Sequence, residues 1–471
     1  MKQTAGWTGN SEYETRGISE CETHGTPPRR RLSFLRFLVR YPIFILAFGP
    51  PVFRGKEGID ITQGQVDIWS FLQAGLLCAV TFRTVLRLAA AESILIPKQI
   101  RSILKYAFFL GLLFLLSAIY SPSRFATAAY SVFYIFTWIC VAEFIASAYR
   151  NPPDWVQCLF HLRFISFLLL LVLLLSFAYN PHLVVEIEPV VGVRFSGGAV
   201  ASTSLICAVI AIISAYGFLY SLEPRRRSMF FLLAGLAGTV FTRSRAGELS
   251  LLLSLAILGI AWAKTGKRSA YAFISGLMAS ILLFGAFAVS AGGGRIWYIF
   301  NRGQNTEGIE SASGRTEIWA FVIRYCTTHP WGMGYVDGFR VIFRQYYSLT
   351  TGQNLSQLGT AHNTFFDVLA GAGWLALAVY LIILAKTIKV AWCFAGRQTL
   401  LRPAMDSAPR HAVRCALVLL IFCLGYGMAA TEFSAPLRGS FYILYIIIAI
   451  ILGASAGMIA GARARSISAS G

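Results

Sequence analysis

The sequence predicts an all-α, polytopic membrane protein with about 12 transmembrane helices. Composition is the first reason: 56% of the 471 residues are apolar and only 13% are charged. A soluble domain is about half apolar and about one quarter charged. Apolar runs of about 20 residues also recur, each long enough to cross a hydrocarbon layer of about 30 Å. Backbone groups cannot stay unpaired in lipid, so such runs must be helices rather than open strands.

Taken in order, residues 1–30 are polar and aperiodic and read as a disordered cytoplasmic tail. Residues 31–100 hold the N-terminal transmembrane helices, with spans at 34–52 and 66–82; Arg36 and Arg40 interrupt the first. A transmembrane core over 101–290 contains spans 103–120, 126–148, 159–178, 199–221, 228–242, 246–263 and 269–290. The segment 291–361 is one large external loop. C-terminal transmembrane helices occupy 362–462, with spans 363–385, 413–431 and 439–460, and 463–471 is a second cytoplasmic tail.

Orientation follows from charge. The formal charge of +20 invites a nucleic-acid reading, but its distribution argues against one. With both termini in the cytoplasm, inward loops and helix ends collect the greater part of the 41 Lys and Arg. Arg225-Arg226-Arg227 and the Lys386–Arg414 segment are examples. That asymmetry is the positive-inside pattern, so the basic excess reports topology and no nucleic-acid partner is expected. The nine cysteines form no disulfide framework: most fall in spans or on the cytoplasmic side, and Cys326 stands alone in the large loop.

The large loop is too long for a simple connector. Ser313 can cap a helix through Ile318, Trp319, Val322, Ile323 and Tyr325, which Pro330 and the Trp331-Gly332-Met333-Gly334 turn would end. Asp337 could cap a second amphipathic piece through Phe339, Ile342, Phe343 and Tyr346. Both pieces are expected to lie at the outer surface, with an apolar face towards lipid or the bundle.

His362, in Ala361-His362-Asn363, ends this loop and opens an apolar helix. An imidazole, with an ordinary pKa near 6.5, can take a proton from a hydroxyl at neutral pH. The plainer reading is an interfacial histidine that anchors the helix, with Asn363 as its cap. His182 and His329 are the rival external histidines. Arg194, Arg243, Arg245 and Arg315 fall on the same side near helix ends, and a guanidinium's fork of donors suits phosphate oxygens. Each could instead snorkel to headgroups or pair with a local acid, as Arg245 could with Glu248 at helical spacing. Glu143, Glu248, Asp367 and Glu432 are the carboxylates within or beside spans. Asp367, on the same helix face as Asn363, could orient His362 or Arg315 or could serve folding alone. No metal-ligand cluster and no Asp-x-Asp pattern appears, so neither a metal nor another cofactor is expected.

Several motifs, in this order, resemble one family. They are Arg194 with Gly197, Ser244-Arg245, Gly314-Arg315-Thr316-Glu317-Ile318-Trp319, His329-Pro330-Trp331-Gly332-Met333-Gly334-Tyr335, and Ala361-His362-Asn363 leading to Asp367 and Gly373. The pattern, over roughly 100–460, resembles the O-antigen ligase and polymerase superfamily, and the loop is especially similar to exopolysaccharide polymerases. The resemblance implies a C-type membrane glycosyltransferase fold in the bacterial inner membrane with a periplasmic active site. It implies metal-independent transfer of a glycan from undecaprenyl diphosphate. His362 would be the base, Arg194, Arg245 and Arg315 would hold the diphosphate with Arg243 beside them, and Asn363 and Asp367 would support. Partners so implied are the lipid-linked glycan, membrane lipid, a chain-length regulator and a flippase. Polymerase is the favoured activity and ligase the alternative. Gly371 and Ala376 stand where the family often has an acid and a glycine, which bears on acceptor choice. A transporter is the rival class; neither internal symmetry nor midplane charges are legible.

Overall fold

The first apolar run does not form one span. In the computed structural model α1 (Phe34–Arg40) stops at Tyr41, and a 3₁₀ turn over Pro42–Phe48 follows. Proline has no N–H and disfavours helical geometry in the residue before it, so the expected span 34–52 is replaced by two short pieces. They bury Phe37, Phe44 and Leu46 in the core.

The structure describes residues 33–48, 68–90, 96–181, 185–188, 192–195, 200–242, 244–263, 315–336, 338–343, 345, 361–396, 408–430, 433–434, 436 and 439–468. The expected tail 1–30, span 269–290, the Ser313 and Asp337 caps, Arg243, His182 and Glu432 lie outside them.

Long helices make up the rest: α2 (Ile68–Ala89), α3 (Lys98–Leu116), α4 (Arg124–Arg150), α5 (Trp155–Tyr179), α6 (Val200–Leu219), α7 (Arg225–Thr242) and α8 (Arg245–Ala263). Next come α9 (Arg315–Thr328), within the expected loop, and α10 (Thr364–Gly396), α11 (Ala408–Gly427) and α12 (Gly439–Ser468). Among the described residues eight helices are long and apolar enough to cross a membrane. The chain is therefore a multi-pass, helical membrane protein; this set is smaller than the expected 12 spans.

One expected loop is a hairpin instead. β1 (Val185–Glu188) pairs antiparallel with β2 (Gly192–Phe195), Glu186 opposite Arg194 and Val185 opposite Phe195. The signal is in the sequence: Val185 and Ile187 alternate with Glu186 and Glu188, a period of two that favours a strand.

Close packing centres on α6, which is buried along nearly its whole length. Gly235 of α7 lies against its backbone, where a Cβ would stand 2.6 Å from Ala211 N and 2.7 Å from Cys207 O. Small residues of this kind let helix backbones approach where lipid supplies no hydrophobic drive.

Between α5 and the turn that joins α6 to α7, Arg163 of α5 is 1% exposed and forks onto Glu223, with Nη2 to Oε2 at 2.8 Å. Its guanidinium lies over the rings of Phe160 and Phe231, and Ser228 adds a bond to Glu223. Burial pushes the Glu223 carboxyl upward, but Arg163, Ser228 and Arg227 outweigh it and hold it below the ordinary glutamate value. A depressed carboxyl contributes stability above its unfolded pKa and loses it as the pH falls through the folded one. Glu223→Ala, which strands a buried guanidinium, is expected to cost about 3–5 kcal/mol. Thermal unfolding in detergent should show a lowered Tm at pH 7 that converges on wild type in acid. Glu143 has a similar structural use, bonded to Arg87 at 3.0 Å.

α10 positions the site. Its 33 residues would reach about 50 Å, more than a membrane core requires. The helix breaks at Ala372 and Gly373, where φ is −143° and +78°. A break orphans backbone groups, and the turn after α9 satisfies them. Met333 N donates to Ala370 O at 2.6 Å, Gly334 N to Gly371 O at 3.0 Å, and Trp374 N to Pro330 O at 3.2 Å. The turn needs positive φ at Gly332 and Gly334 to fit there.

α9 is 14 residues long, marginal for an isolated helix, so packing must hold it. Ile318, Val322 and Cys326 share one face and bury against Met333, Phe339, Phe343, Leu369 and Ala370. The loop helix expected from periodicity is present, and its apolar face meets the bundle rather than lipid.

Candidate active site

The site is built where the N-terminus of α10 meets the C-terminus of α11. Helix C-termini expose unpaired carbonyls, and three side chains collect them in succession. Asn363 Nδ2 donates to Met428 O at 2.9 Å, Arg315 Nη1 to Ala429 O at 3.1 Å, and Thr364 Oγ1 to Ala430 O at 2.9 Å. Three consecutive residues extend at most about 10 Å. The guanidinium of Arg315 and the backbone flanking His362 are thus gathered on one short strip.

Asn363 is 5% exposed and is the helix cap the sequence suggested. Its Oδ1 accepts from Phe365 N at 2.9 Å and Phe366 N at 3.2 Å. His362, half-buried, adopts φ +50°, a left-handed conformation that costs an ordinary L-residue energy and persists only where its surroundings impose it.

Asp367 acts on the chain entering His362. Its Oδ1 accepts from Ala361 N at 2.8 Å and its Oδ2 from Ser434 Oγ at 2.7 Å. Ser434 O in turn accepts from the Tyr335 hydroxyl at 2.6 Å. Burial raises the Tyr335 phenol far above its ordinary pKa, so it stays a donor. Tyr335 is fixed by stacking on Phe114, centroids 3.8 Å apart, and by its N–H to Ser117 Oγ at 3.0 Å.

Arg315 stands at the first residue of α9. Burial draws its pKa down, with the neighbouring Tyr426 opposing the change; a guanidinium remains charged at neutral pH regardless. Arg245 opens α8, with its Nε and Nη2 shut away from solvent. Ser244 Oγ accepts from Gly247 N at 3.3 Å and caps that helix. A Cβ at Gly425 of α11 would meet Ser250 Oγ at 3.3 Å, so α8 and α11 touch there. Arg245 lies five residues before Ser250, about 7 Å along α8. Arg194 is placed by its backbone on β2, beside α7.

His329 is exposed, stacked on Tyr325 with centroids 4.4 Å apart, and bonded to Thr328 at 2.9 Å. It takes part in none of the contacts around Met428–Ala430 described above. Among the described residues no group of three His, Cys, Asp or Glu gathers to hold a metal. Sequence reasoning missed Ser434, Thr364 and the bonding roles of Tyr335 and Trp319. No spacing signals them, because they act across elements distant in the chain.

The assembled features define a polytopic helical membrane protein with Arg315 and the residues flanking His362 gathered at the end of α11. Residues 229–381 match the family model described as O-antigen ligase, a segment containing Arg243, Arg245, Arg315, His362, Asn363 and Asp367. An O-antigen ligase of Pseudomonas aeruginosa is 30% identical over 149 residues, 30% of this chain and 34% of that protein. The match therefore spans about a third of that relative's length. Both matches are to O-antigen ligases, the group that the loop motifs resemble.

Proposed function

We propose that the protein is an inner-membrane glycosyltransferase that joins undecaprenyl-diphosphate-linked repeat units into exopolysaccharide or O-antigen at the periplasmic face. The observation that carries this reading is the strip Met428–Ala430, which gathers Arg315 beside the backbone of His362.

In this reading His362 takes the proton of an acceptor hydroxyl as that oxygen attacks the anomeric carbon. The bond from that carbon to the phosphate oxygen breaks on the opposite face, and its electron pair leaves with the diphosphate. The configuration inverts. Arg194, Arg245 and Arg315, with Arg243 adjacent, stabilise the departing charge, which makes a metal dispensable. Asn363 and Asp367 hold the backbone on which the imidazole is carried. A flippase would supply the donor and a chain-length regulator would limit the product.

Arg315→Ala is expected to weaken use of the lipid-linked donor more than Arg315→Lys, because lysine keeps the charge but not the fork. Transfer measured across donor concentrations checks this; wild-type behaviour of both variants removes Arg315 from the site.

A second reading, ligation of a finished glycan to lipid A core, is supported by the similarity to the P. aeruginosa O-antigen ligase. Deleting the gene in its host separates the two. Single units accumulating with long chains lost means polymerase, and long chains held on undecaprenyl diphosphate means ligase. Units trapped on the cytoplasmic side would mean a flippase and overturn both.

A further inference from the structure

Ala361, the residue before His362, is held at its N–H and at its carbonyl by side chains of two helices. Ala361 is 0% exposed. Its N–H donates to Asp367 Oδ1 at 2.8 Å, and its carbonyl accepts from Trp319 Nε1, also at 2.8 Å. The indole is kept in place by stacking on Phe366, centroids 5.4 Å apart and planes 17° from parallel.

That carbonyl belongs to the peptide plane from which the φ rotation of His362 is made. Fixing the plane on one side, while the Asn363 cap fixes the other, leaves the +50° torsion little freedom. Left-handed geometry is unfavourable for a residue with a Cβ, so relaxation is the default once a restraint is lost. Trp319 follows Arg315 by four residues, on the same face of α9. One rigid helix thus carries a guanidinium bonded to Ala429 O and an indole bonded to the peptide of His362.

We infer that Trp319 is a positioning residue: its indole N–H holds the Ala361–His362 peptide, so that α9 sets the placement of the imidazole relative to Arg315. The inference rests on the reading of His362 as base and Arg315 as a donor-binding group. It couples the two through an element of the external loop, and makes that loop part of the catalytic geometry rather than a cover over it.

The test uses the full chain in nanodiscs, with undecaprenyl-diphosphate-linked glycan extracted from the deletion host as donor. Trp319→Phe keeps a ring on Phe366 and removes the N–H. Displacing a catalytic group by about 1 Å costs up to about 100-fold, so kcat should fall by about 10- to 100-fold. KM for the donor should stay within about twofold, since uniform binding is untouched. Carbethoxylation of His362 by diethyl pyrocarbonate, followed by mass spectrometry, should change several-fold, which reports imidazole placement without reference to transfer.

Trp374→Phe removes the comparable bond between the same two helices, Nε1 to Cys326 O at 3.1 Å. It should leave both readouts near wild type. If Trp319→Phe does not fold, benzothiophene in place of the indole at position 319 removes the N–H at constant shape and answers the same question. Wild-type kcat with wild-type His362 reactivity in these position-319 variants overturns the inference, and so does an equal loss in Trp374→Phe. Altered His362 reactivity, in a protein whose wild type transfers no glycan, supports the positioning and overturns the base reading alone.

Discussion

Alanine at His362 abolishes glycan transfer while the protein reaches the membrane in wild-type amount. The expected loss is about 10²–10⁴-fold, the usual contribution of a positioned general base. The fold should survive because His362 is half-buried and its neighbours are anchored by bonds of their own. Asn363 caps α10, Asp367 accepts from Ala361 N–H, and Trp319 donates its indole N–H to Ala361 O. Complementation of a deletion strain, with glycan on a gel and protein on an immunoblot, measures both halves. Normal polysaccharide from His362→Ala sinks the base assignment.

Valine at Gly373 fails in a different way. Gly373 sits at φ +78°, and an added Cβ would run into the carbonyl of Pro330. The backbone strain alone is about 1–3 kcal/mol, and the clash is with main chain that cannot swing aside. The turn 330–334 would be expelled from the break, leaving Ala370 O and Gly371 O without their partners Met333 N and Gly334 N. Each buried orphan adds about 1–3 kcal/mol. Little folded protein should accumulate, and activity should fall in proportion. Gly461→Ala is the control, since nothing lies within 4 Å of its Cβ position. Wild-type amounts of active Gly373→Val protein would show that the docked turn is dispensable.

Much of this architecture was legible because its causes are local. Apolar runs of membrane-spanning length mark α2 to α6 and α10 to α12, and the Ile318–Val322–Tyr325 spacing marks α9 inside the loop. Asn363 could be read as a cap from its type and place. What escaped was set by contacts far apart in sequence. A run of 33 helical residues gives no notice that it breaks at Gly373, because the break is stabilised by backbone from the turn at 330–334. Asp367 was placed on the correct face. Its bonds to Ala361 N and Ser434 Oγ depend on where the segment after α11 returns. The hairpin at 185–195 alternates visibly, but strands of 4 residues each stand out little among apolar runs of membrane-spanning length.

The break in α10 also decides which part of that helix answers to the lipid. Below it, Trp374–Gly396 runs for about 35 Å and can tilt when the bilayer thickens or thins, the ordinary response to hydrophobic mismatch. Above it, Thr364–Gly371 is bonded to Met428–Ala430 and to the turn after α9, none of which belongs to the tilting segment. The discontinuity works as a joint, and Trp374, bonded to Pro330 O and Cys326 O, pins the lower segment only at its first residue. Spacing between His362 and Arg315 is then set on the near side of the joint, by α9 and the strip Met428–Ala430, with tilt of the far segment reaching it only through Trp374.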